Sequence, residues 1–304
     1  MMKCKLKKIS PTALNTFYKS PKRFVDTYVL GGTRMGQTKP MAIGSAFDVY
    51  IKAALLDWTS DEFEKEFVRS VESQFRSWAR VEGANVLKMY QDSGAYNNLL
   101  TEIRGAEIFC EFKTTHSLKY EDGFEVPIGG IPDLMFLRND MGIIVDWKVT
   151  GFMSKAFPVH GYVSLYKDGF NLGSHKDITP MRNNGILLGL GANVREDWMT
   201  QLTMYTWAAL PKDCQAIMGI DQLVFKNVTG HYAEGGEQEL RVAVFRLEVN
   251  DEFQNDLRIK LRKAWEMISS GHYYSNMTRE DNDAQLEFLE TADEETLWAL
   301  RNAY

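Results

Sequence analysis

The sequence has few cysteines and no metal-binding histidine spacing, which argues against two common kinds of site. Its three cysteines, Cys4, Cys110 and Cys214, lie far apart and form no CxxC pair. A disulfide framework or a thiolate metal site is therefore not expected, and a reducing compartment fits best. The five histidines show no HxxH or HExxH spacing, so a zinc site is not expected either.

Long apolar runs are also missing. No run approaches the ~18 residues of a transmembrane helix, and the basic start "MMKCKLKKIS" has no apolar segment after it. We therefore expect no membrane span and no signal peptide, and a cytoplasmic protein. With 304 residues, 44% of them hydrophobic, the chain can bury a large core in one elaborated domain or two small ones.

Charge is distributed unevenly along the chain. The formal net charge of −6 argues against a protein that coats nucleic acid. Residues 1–40 nevertheless hold nine lysines and arginines against Asp26 alone, and residues 281–304 hold seven acids against Arg301. A basic face of this kind can bind phosphates on an acidic protein, or the two ends can simply be a solvated basic arm and an acidic tail.

The hydrophobic periodicity predicts alternating helices and strands. Helices are predicted over 12–30, 41–58, 60–104, 196–210 and 251–271, and strands over 107–113, 124–137, 143–150, 218–227 and 239–249. This order predicts an α/β fold, with a mixed central sheet flanked by helices. The irregular stretch between the third strand and the fourth long helix is too long for an ordinary connection, and it predicts an insertion at 155–190.

One stretch, "GGIPDLMFLRNDMGIIVDWKVTG" at residues 129–151, places acids inside a predicted hairpin. A turn centred on Asn139-Asp140 puts Asp133 directly across from Asp146, and Lys148 on the same side. Like charges so placed destabilise a sheet unless a cation lies between them, and hard divalent cations bind carboxylate oxygens. The alternative is an ordinary Asp–Lys pair on a solvated sheet face.

Four motifs in sequence carry a resemblance to a known family. The GIPD…DWK hairpin resembles the PD-(D/E)xK nuclease motif, specifically its RecB-type branch, which includes phage exonucleases and the CRISPR-associated adaptation nuclease. "ISPTALNTFYKSPKRFVDTYV" resembles the opening helix of that branch, "GSAFD" its GxxH helix with Asp48 at the histidine position, and "QLTMY" its QxxxY motif with Gln201 and Tyr205. The resemblance covers residues 8 to 275, which implies a nuclease domain at 1–275 and an acidic tail at 276–304.

The resemblance implies a restriction-endonuclease-like core and Mg²⁺-dependent hydrolysis of DNA, with Mn²⁺ as a possible substitute. Small chains of this family without an attached helicase often act as exonucleases, in DNA recombination, repair or phage DNA processing. Lys148 would orient or deprotonate water, or stabilise charge on the phosphorane, while the QxxxY pair would position Lys148 and the DNA backbone. The implied catalytic residues are Asp133, Asp146, Lys148, Gln201 and Tyr205, and the implied metal ligands are Asp48, Asp133, Asp146 and the backbone carbonyl of Trp147.

The chain departs from the family at two positions. Asp48 replaces a histidine, which suits Mg²⁺ and disfavours softer metals, although Asp48 could also be a helix-surface acid. Ser20 stands where some members have the first of four cysteines, so we expect no iron–sulfur cluster. The aromatic and basic residues of the predicted insertion either contact DNA or pack a local subdomain: Phe157, Tyr162, Tyr166, Lys167, Phe170, His175 and Lys176.

Two other functions remain open at this point. A nuclease-fold protein could bind DNA ends without cutting them and recruit a partner. An interaction protein could instead dock its acidic tail on a helicase or a single-strand annealing protein, although the leucines of that tail could equally cover the protein's own core. Glu111 is either an extra acid of the site or an ordinary strand residue. No sequence motif reports the strand polarity of cleavage, the number of metal ions or the oligomeric state.

Overall fold

The computed structural model describes residues 4–32, 36–150, 163–166, 169–171, 196–211, 214–225, 239–248, 251–293 and 295–297. A π-helical turn lies at Val25–Val29 and a 3₁₀ turn at Ser73–Phe75. The helices are α1 (Pro11–Lys19), α2 (Pro21–Phe24), α3 (Lys39–Leu56), α4 (Ser60–Ser70), α5 (Arg76–Asp92), α6 (Ala95–Glu102), α7 (Glu196–Ala209), α8 (Asp251–Ser269) and α9 (Arg279–Thr291). The strands are β1 (Glu107–Cys110), β2 (Thr114–Lys119), β3 (Glu125–Gly130), β4 (Leu134–Arg138), β5 (Met141–Thr150), β6 (Val163–Tyr166), β7 (Gly169–Asn171), β8 (Gln215–Phe225) and β9 (Glu239–Leu247).

Seven strands form one mixed sheet in the order β1-β4-β5-β8-β9-β6-β7. Strands β5 and β8 pair in parallel, and the other neighbouring strands pair antiparallel. β2 and β3 form a separate two-stranded sheet. The predicted α/β fold with a mixed central sheet flanked by helices is therefore confirmed.

The β4–β5 hairpin has the predicted register. Leu134 pairs with Val145 and Arg138 with Met141, so the turn falls on Asn139-Asp140, where Asn139 has a positive φ of 53°. The predicted strand 124–137 was wrong as one element, because β3 ends at Gly130 and β4 begins at Leu134. Pro132 lies in the gap, where its missing N–H leaves no ladder bond unsatisfied. Asp133 therefore sits just before the first paired residue of β4.

The two faces of the large sheet pack against different helices. Leu134, Phe136 and Trp147 face a core that includes residues of α3 and α5. Their neighbours Met135 and Ile144 point to the opposite face, which α7 covers. The alternation of the hairpin thus places the side chain of each strand residue on a predictable face.

A second core lies beneath the small sheet. It joins residues of α1, β2, β3, α8 and α9, and Met204 of α7 belongs to it. Leu286 and Leu289 of α9 are buried there, so this part of the acidic tail covers the protein's own core. α7 lies between the two sheets, because its Leu202 and Tyr205 face the large sheet while Met204 faces the second core.

Other boundaries differ from the predictions. The predicted helix 12–30 is interrupted at Ser20, the N-cap of α2, and ends in the π-helical turn. Strand β2 was missed. The predicted insertion 155–190 contains β6 and β7, whose backbones extend the sheet beyond β9. Five of its aromatic and basic residues lie outside the described residues: Phe157, Tyr162, Lys167, His175 and Lys176. Across the described helices, none combines the length and apolarity needed to cross a membrane.

Candidate active site

The hairpin brings Asp133 and Asp146 to one end of the sheet. Asp146 lies within β5 and is only 2% exposed. Asp133 precedes β4, and its Oδ2 accepts a hydrogen bond of 3.2 Å from the backbone N–H of Trp147. This bond ties the carboxylate of one strand to the backbone of the other, so the predicted pair of acids is held together.

Helix α7 adds a glutamine that joins Asp146 to Lys148. Gln201 Nε2 donates to Asp146 Oδ1 at 2.9 Å, and Lys148 Nζ donates to Gln201 Oε1 at 2.8 Å. Gln201 Nε2 also lies 3.2 Å from the hydroxyl of Tyr205, one helical turn further on. The structure therefore gathers the five predicted catalytic residues into one group.

Glycine at position 130 lets α7 approach the end of β3. A Cβ added to Gly130 would overlap the ring of Tyr205. Burial raises the pKa of the Tyr205 hydroxyl to about 12, so this group stays protonated and can act as a hydrogen-bond donor or acceptor. The glycine before the Ile-Pro-Asp segment thus has a packing role that its place in the motif did not reveal.

Helix α3 brings a third acid and an unpredicted lysine. Asp48 forms an ion pair with Lys52, four residues later on the same helix. Lys52 is 1% exposed, and its Nζ also lies 2.8 Å from Glu111 Oε1. Glu111 therefore belongs to this charged cluster rather than to an unrelated strand face. The i,i+4 spacing of Asp48 and Lys52 on an apolar helix was the signal that could have identified Lys52.

Burial sets the electrostatics of these acids. It raises the pKa of Asp133 well above its usual value, and the negative charges of Asp146 and Asp48 add to the effect. Burial also raises the pKa of Asp48 to about 6, against the opposing effect of Lys52. Burial alone would lower the pKa of Lys52, but the charges of Asp48 and Asp133 outweigh it and the net shift is upward. The raised pKa values of Asp48 and Asp133 indicate that Lys52 and Lys148 do not fully compensate the negative charge and the burial of these acids.

The donor set suits a hard divalent cation. Asp146 Oδ2 is buried and makes no hydrogen bond, although the ammonium of Lys148 lies against it as an ion pair. A buried carboxylate oxygen normally has a partner, and the Lys148 ammonium is the partner of this one. Within the described ranges, no three histidine, cysteine or acidic side chains form a ready-made metal site, because Asp48 and Asp146 are turned towards lysines. Asp133 and Asp146, with Asp48 beside them, are the residues that fit such an ion.

A cleft of about 490 Å³ opens onto these groups. Asp48, Asp133 and Lys148 form its polar wall, and Met41 and Trp198 contribute apolar surface. The volume falls in the range of small-ligand sites, about 300–1,000 Å³. A phosphodiester segment entering this cleft would meet the carboxylates and the lysine together.

Comparisons with known proteins add little. No family model matches the chain, and no curated protein matches it. A solved structure titled "Crystal structure of SSO0001" is similar over 92% of this chain and 94% of that chain, with 11% identical residues and a TM-score of 0.30. A TM-score this low supports no conclusion about fold family or function.

Proposed function

We propose that this chain is a metal-dependent deoxyribonuclease of the PD-(D/E)xK kind, acting as an exonuclease. The observation that carries the proposal is the side-chain network in which Gln201 links Lys148 to Asp146, with Asp133 held beside them by the Trp147 amide. An ordinary surface Asp–Lys pair needs no partly buried glutamine to orient both partners.

The acids would hold the metal ion. Asp133 and Asp146 face each other across the hairpin, and Asp48 approaches from α3; the carbonyl of Trp147 is a further ligand only by the family resemblance. A Mg²⁺ ion bound there supplies positive charge to a scissile phosphate and makes water a stronger acid. Oxygen donors held by helix α3, by strand β5 and by the residue before β4 would suit this ion, because Mg²⁺ demands a near-ideal arrangement of hard ligands.

Lys148 would act on the phosphate or on the attacking water. An ammonium has three N–H donors, and Lys148 directs one to Gln201 while it lies against Asp146. A remaining donor is available for a non-bridging phosphate oxygen, whose charge grows during hydrolysis. Gln201 holds the lysine in this position, and Tyr205 supports the glutamine.

The basic N-terminal segment would supply contacts that do not depend on sequence. Lys5 and Lys7 are exposed, whereas Lys8 is partly buried and donates to the carbonyl of Thr114. Neutralising phosphates releases counterions, so DNA affinity should fall steeply with salt. An affinity that stays flat between 50 and 200 mM salt would remove this part of the proposal.

The test is cleavage of end-labelled linear duplex, single-stranded and closed circular DNA, in Mg²⁺, Mn²⁺ and EDTA. Lys148→Ala is compared with Lys88→Ala, which removes an exposed lysine paired with Asp92. We expect metal-dependent loss of linear DNA, intact circles, at least a ~10³-fold loss in Lys148→Ala and no change in the control. Nicked circles would make the protein an endonuclease with the same site.

The competing function is DNA-end binding without cleavage, with recruitment of a helicase or an annealing protein. Binding preserved in every metal, with no cleavage by the wild-type chain, would favour it. The complete set of Asp133, Asp146, Lys148 and Gln201 supports the nuclease, because a protein that only binds ends has no need of this network.

A further inference from the structure

Lys52 has no role in the nuclease proposed above, yet it is the most enclosed lysine of the cluster. Its side chain is 1% exposed, whereas that of Lys148 is 20% exposed. Lysine is almost never fully buried unless it is paired, because the ammonium loses its hydration. At Lys52 the partners are Asp48 and Glu111, and the charge of Asp133 also acts on it.

An ion pair with a purely structural role would not need to lie beside the acids of the cleft. Lys52 contacts Asp48, which faces the cleft and lies within electrostatic reach of Asp146. Its second partner, Glu111, follows β1 and has a backbone N–H 3.4 Å from the carbonyl oxygen of Asp133. The ammonium is thus surrounded by the acids that a second metal ion would require.

Formal charges can be counted for the metal-bound cluster, in which a bound cation displaces the protons of its acids. Asp48, Glu111, Asp133 and Asp146 then contribute four negative charges, and Lys52 and Lys148 contribute two positive charges. Two negative charges remain, which one divalent cation neutralises. Arg69 also reaches Glu111, but it is 67% exposed and shared with Glu66, so solvent screens it.

We propose that Lys52 is a positioning residue that takes the place of a second metal ion, so that the site binds a single divalent cation. The ammonium holds Asp48 and Glu111 and repels a further cation. This inference rests on the proposed nuclease function, and it adds to that function the metal stoichiometry and the residue that sets it.

The experiment counts Mn²⁺ ions by electron paramagnetic resonance of free Mn²⁺ during titration of the full-length protein, with calorimetry for affinity. Wild type is compared with Lys52→Gln, which removes the charge, and with Lys52→Arg, which keeps it. Lys88→Gln is the matched control, because Lys88 and Asp92 form an i,i+4 pair at the surface. Circular dichroism and thermal unfolding show which variants fold.

We expect one Mn²⁺ per chain in wild type, Lys52→Arg and Lys88→Gln. Lys52→Gln should bind a second ion, or bind the first about tenfold more tightly, because a nearby positive charge has been removed. Two ions in the wild-type protein would overturn the inference even if every Lys52 variant failed to fold. A folded Lys52→Gln with unchanged count and affinity would also overturn it and leave Lys52 as a structural residue.

The two proposals fail in different ways. A wild-type chain that cleaves DNA with two bound ions contradicts the role of Lys52 and leaves the nuclease intact. A wild-type chain that binds no Mn²⁺ and cleaves no DNA contradicts the nuclease, and the inference falls with it.

Discussion

Two buried ionic clusters can be compared within the part of the chain that the structure describes, and one of them opens to solvent. In the enclosed cluster, Arg246 Nη1 donates to Asp221 Oδ1 at 2.7 Å and Arg246 Nε donates to Glu102 Oε2 at 2.9 Å. Tyr90 donates to the other oxygen of Asp221. In the open cluster, Asp146 Oδ2 makes no hydrogen bond and the cleft lies beside Asp48, Asp133 and Lys148.

The difference favours the open cluster as the candidate functional site. A buried charge that is fully hydrogen-bonded and sealed from water holds elements of the fold together. Carboxylates that line a cleft, as Asp48 and Asp133 do, can be reached by an ion or a substrate. Perturbed pKa values occur in both clusters, so a raised pKa alone would not have separated them.

The largest change in the free energy of unfolding is expected from a substitution that breaks the enclosed cluster. Arg246→Met leaves Asp221 and Glu102 buried without their cation, which should lower the free energy of unfolding by about 3–5 kcal/mol. Urea unfolding followed by circular dichroism measures the change. Cleavage per folded molecule should stay at the wild-type level.

Arg262→Met is the matched control for that variant. Arg262 also pairs with two acids, Asp122 and Glu266, but at the surface, so its removal should change the free energy of unfolding by less than about 1 kcal/mol. Equal losses in the two variants would contradict the contrast between an enclosed and an exposed arginine.

The next effect concerns metal and the open cluster. Mg²⁺ at about 100 times its dissociation constant should raise the free energy of unfolding by about 2.7 kcal/mol, because it binds the folded chain alone. Thermal unfolding with Mg²⁺ and then with excess EDTA measures this gain. Asp133→Asn should abolish it and Arg246→Met should keep it; a gain that survives in Asp133→Asn would place the metal elsewhere.

A smaller effect is expected from Gly130→Ala. The added methyl group would push against the ring of Tyr205, which supports Gln201, and such overpacking costs about 1–3 kcal/mol. We expect a lower free energy of unfolding together with slower cleavage, measured at saturating Mg²⁺. Gly123→Ala is the comparison, because an added Cβ there meets no neighbour and only its positive φ is strained. Slower cleavage in both variants would argue against a specific effect on Tyr205.

The smallest effect is a pH dependence of the open cluster. Because the pKa of Asp48 in the folded chain is raised to about 6, metal affinity should fall about tenfold per pH unit below that value, since the proton competes with the ion. Without metal, the stability of the fold depends on pH in the opposite direction to metal affinity. A raised carboxyl pKa contributes stability that is present below about pH 4 and is lost as the pH rises through about 6.

Mn²⁺ titrations by calorimetry between pH 5 and 8 measure the first part. Asp48→Asn should give a shallower pH profile than wild type, because one competing proton has been removed. An identical profile in the two proteins would mean that Asp48 does not contribute to the metal site.

The hairpin part of the open cluster was predictable because Asp133, Asp146 and Lys148 are close in sequence. A two-residue turn and the alternation of side chains placed Asp133 opposite Asp146, and the register of β4 and β5 agrees. The helical spacing of Gln201 and Tyr205 likewise put both on one face of α7. Local periodicity carries these two placements, whereas the meeting of Gln201 with Lys148, 53 positions away, was implied by the family resemblance.

The parts that could not be predicted depend on distant contacts. The apolar run at 124–137 reads as one strand, but the chain leaves the small sheet after Gly130, the residue against which Tyr205 packs. Lys52 can be read from the sequence as the i,i+4 partner of Asp48, but its contact with Glu111, 59 positions later, depends on the fold. The Arg246 cluster joins α5, α6, β8 and β9, and no single segment of the sequence contains that arrangement.

The position of α7 between the two sheets has a consequence for hydrogen exchange. Its buried residues Leu202 and Tyr205 pack on one core and Met204 on the other, so neither core can open without exposing this helix. The amides of α7 should therefore exchange among the slowest in the chain, at a rate set by global unfolding. Gln201 would then keep Lys148 in place through the smaller fluctuations that open loops and chain ends.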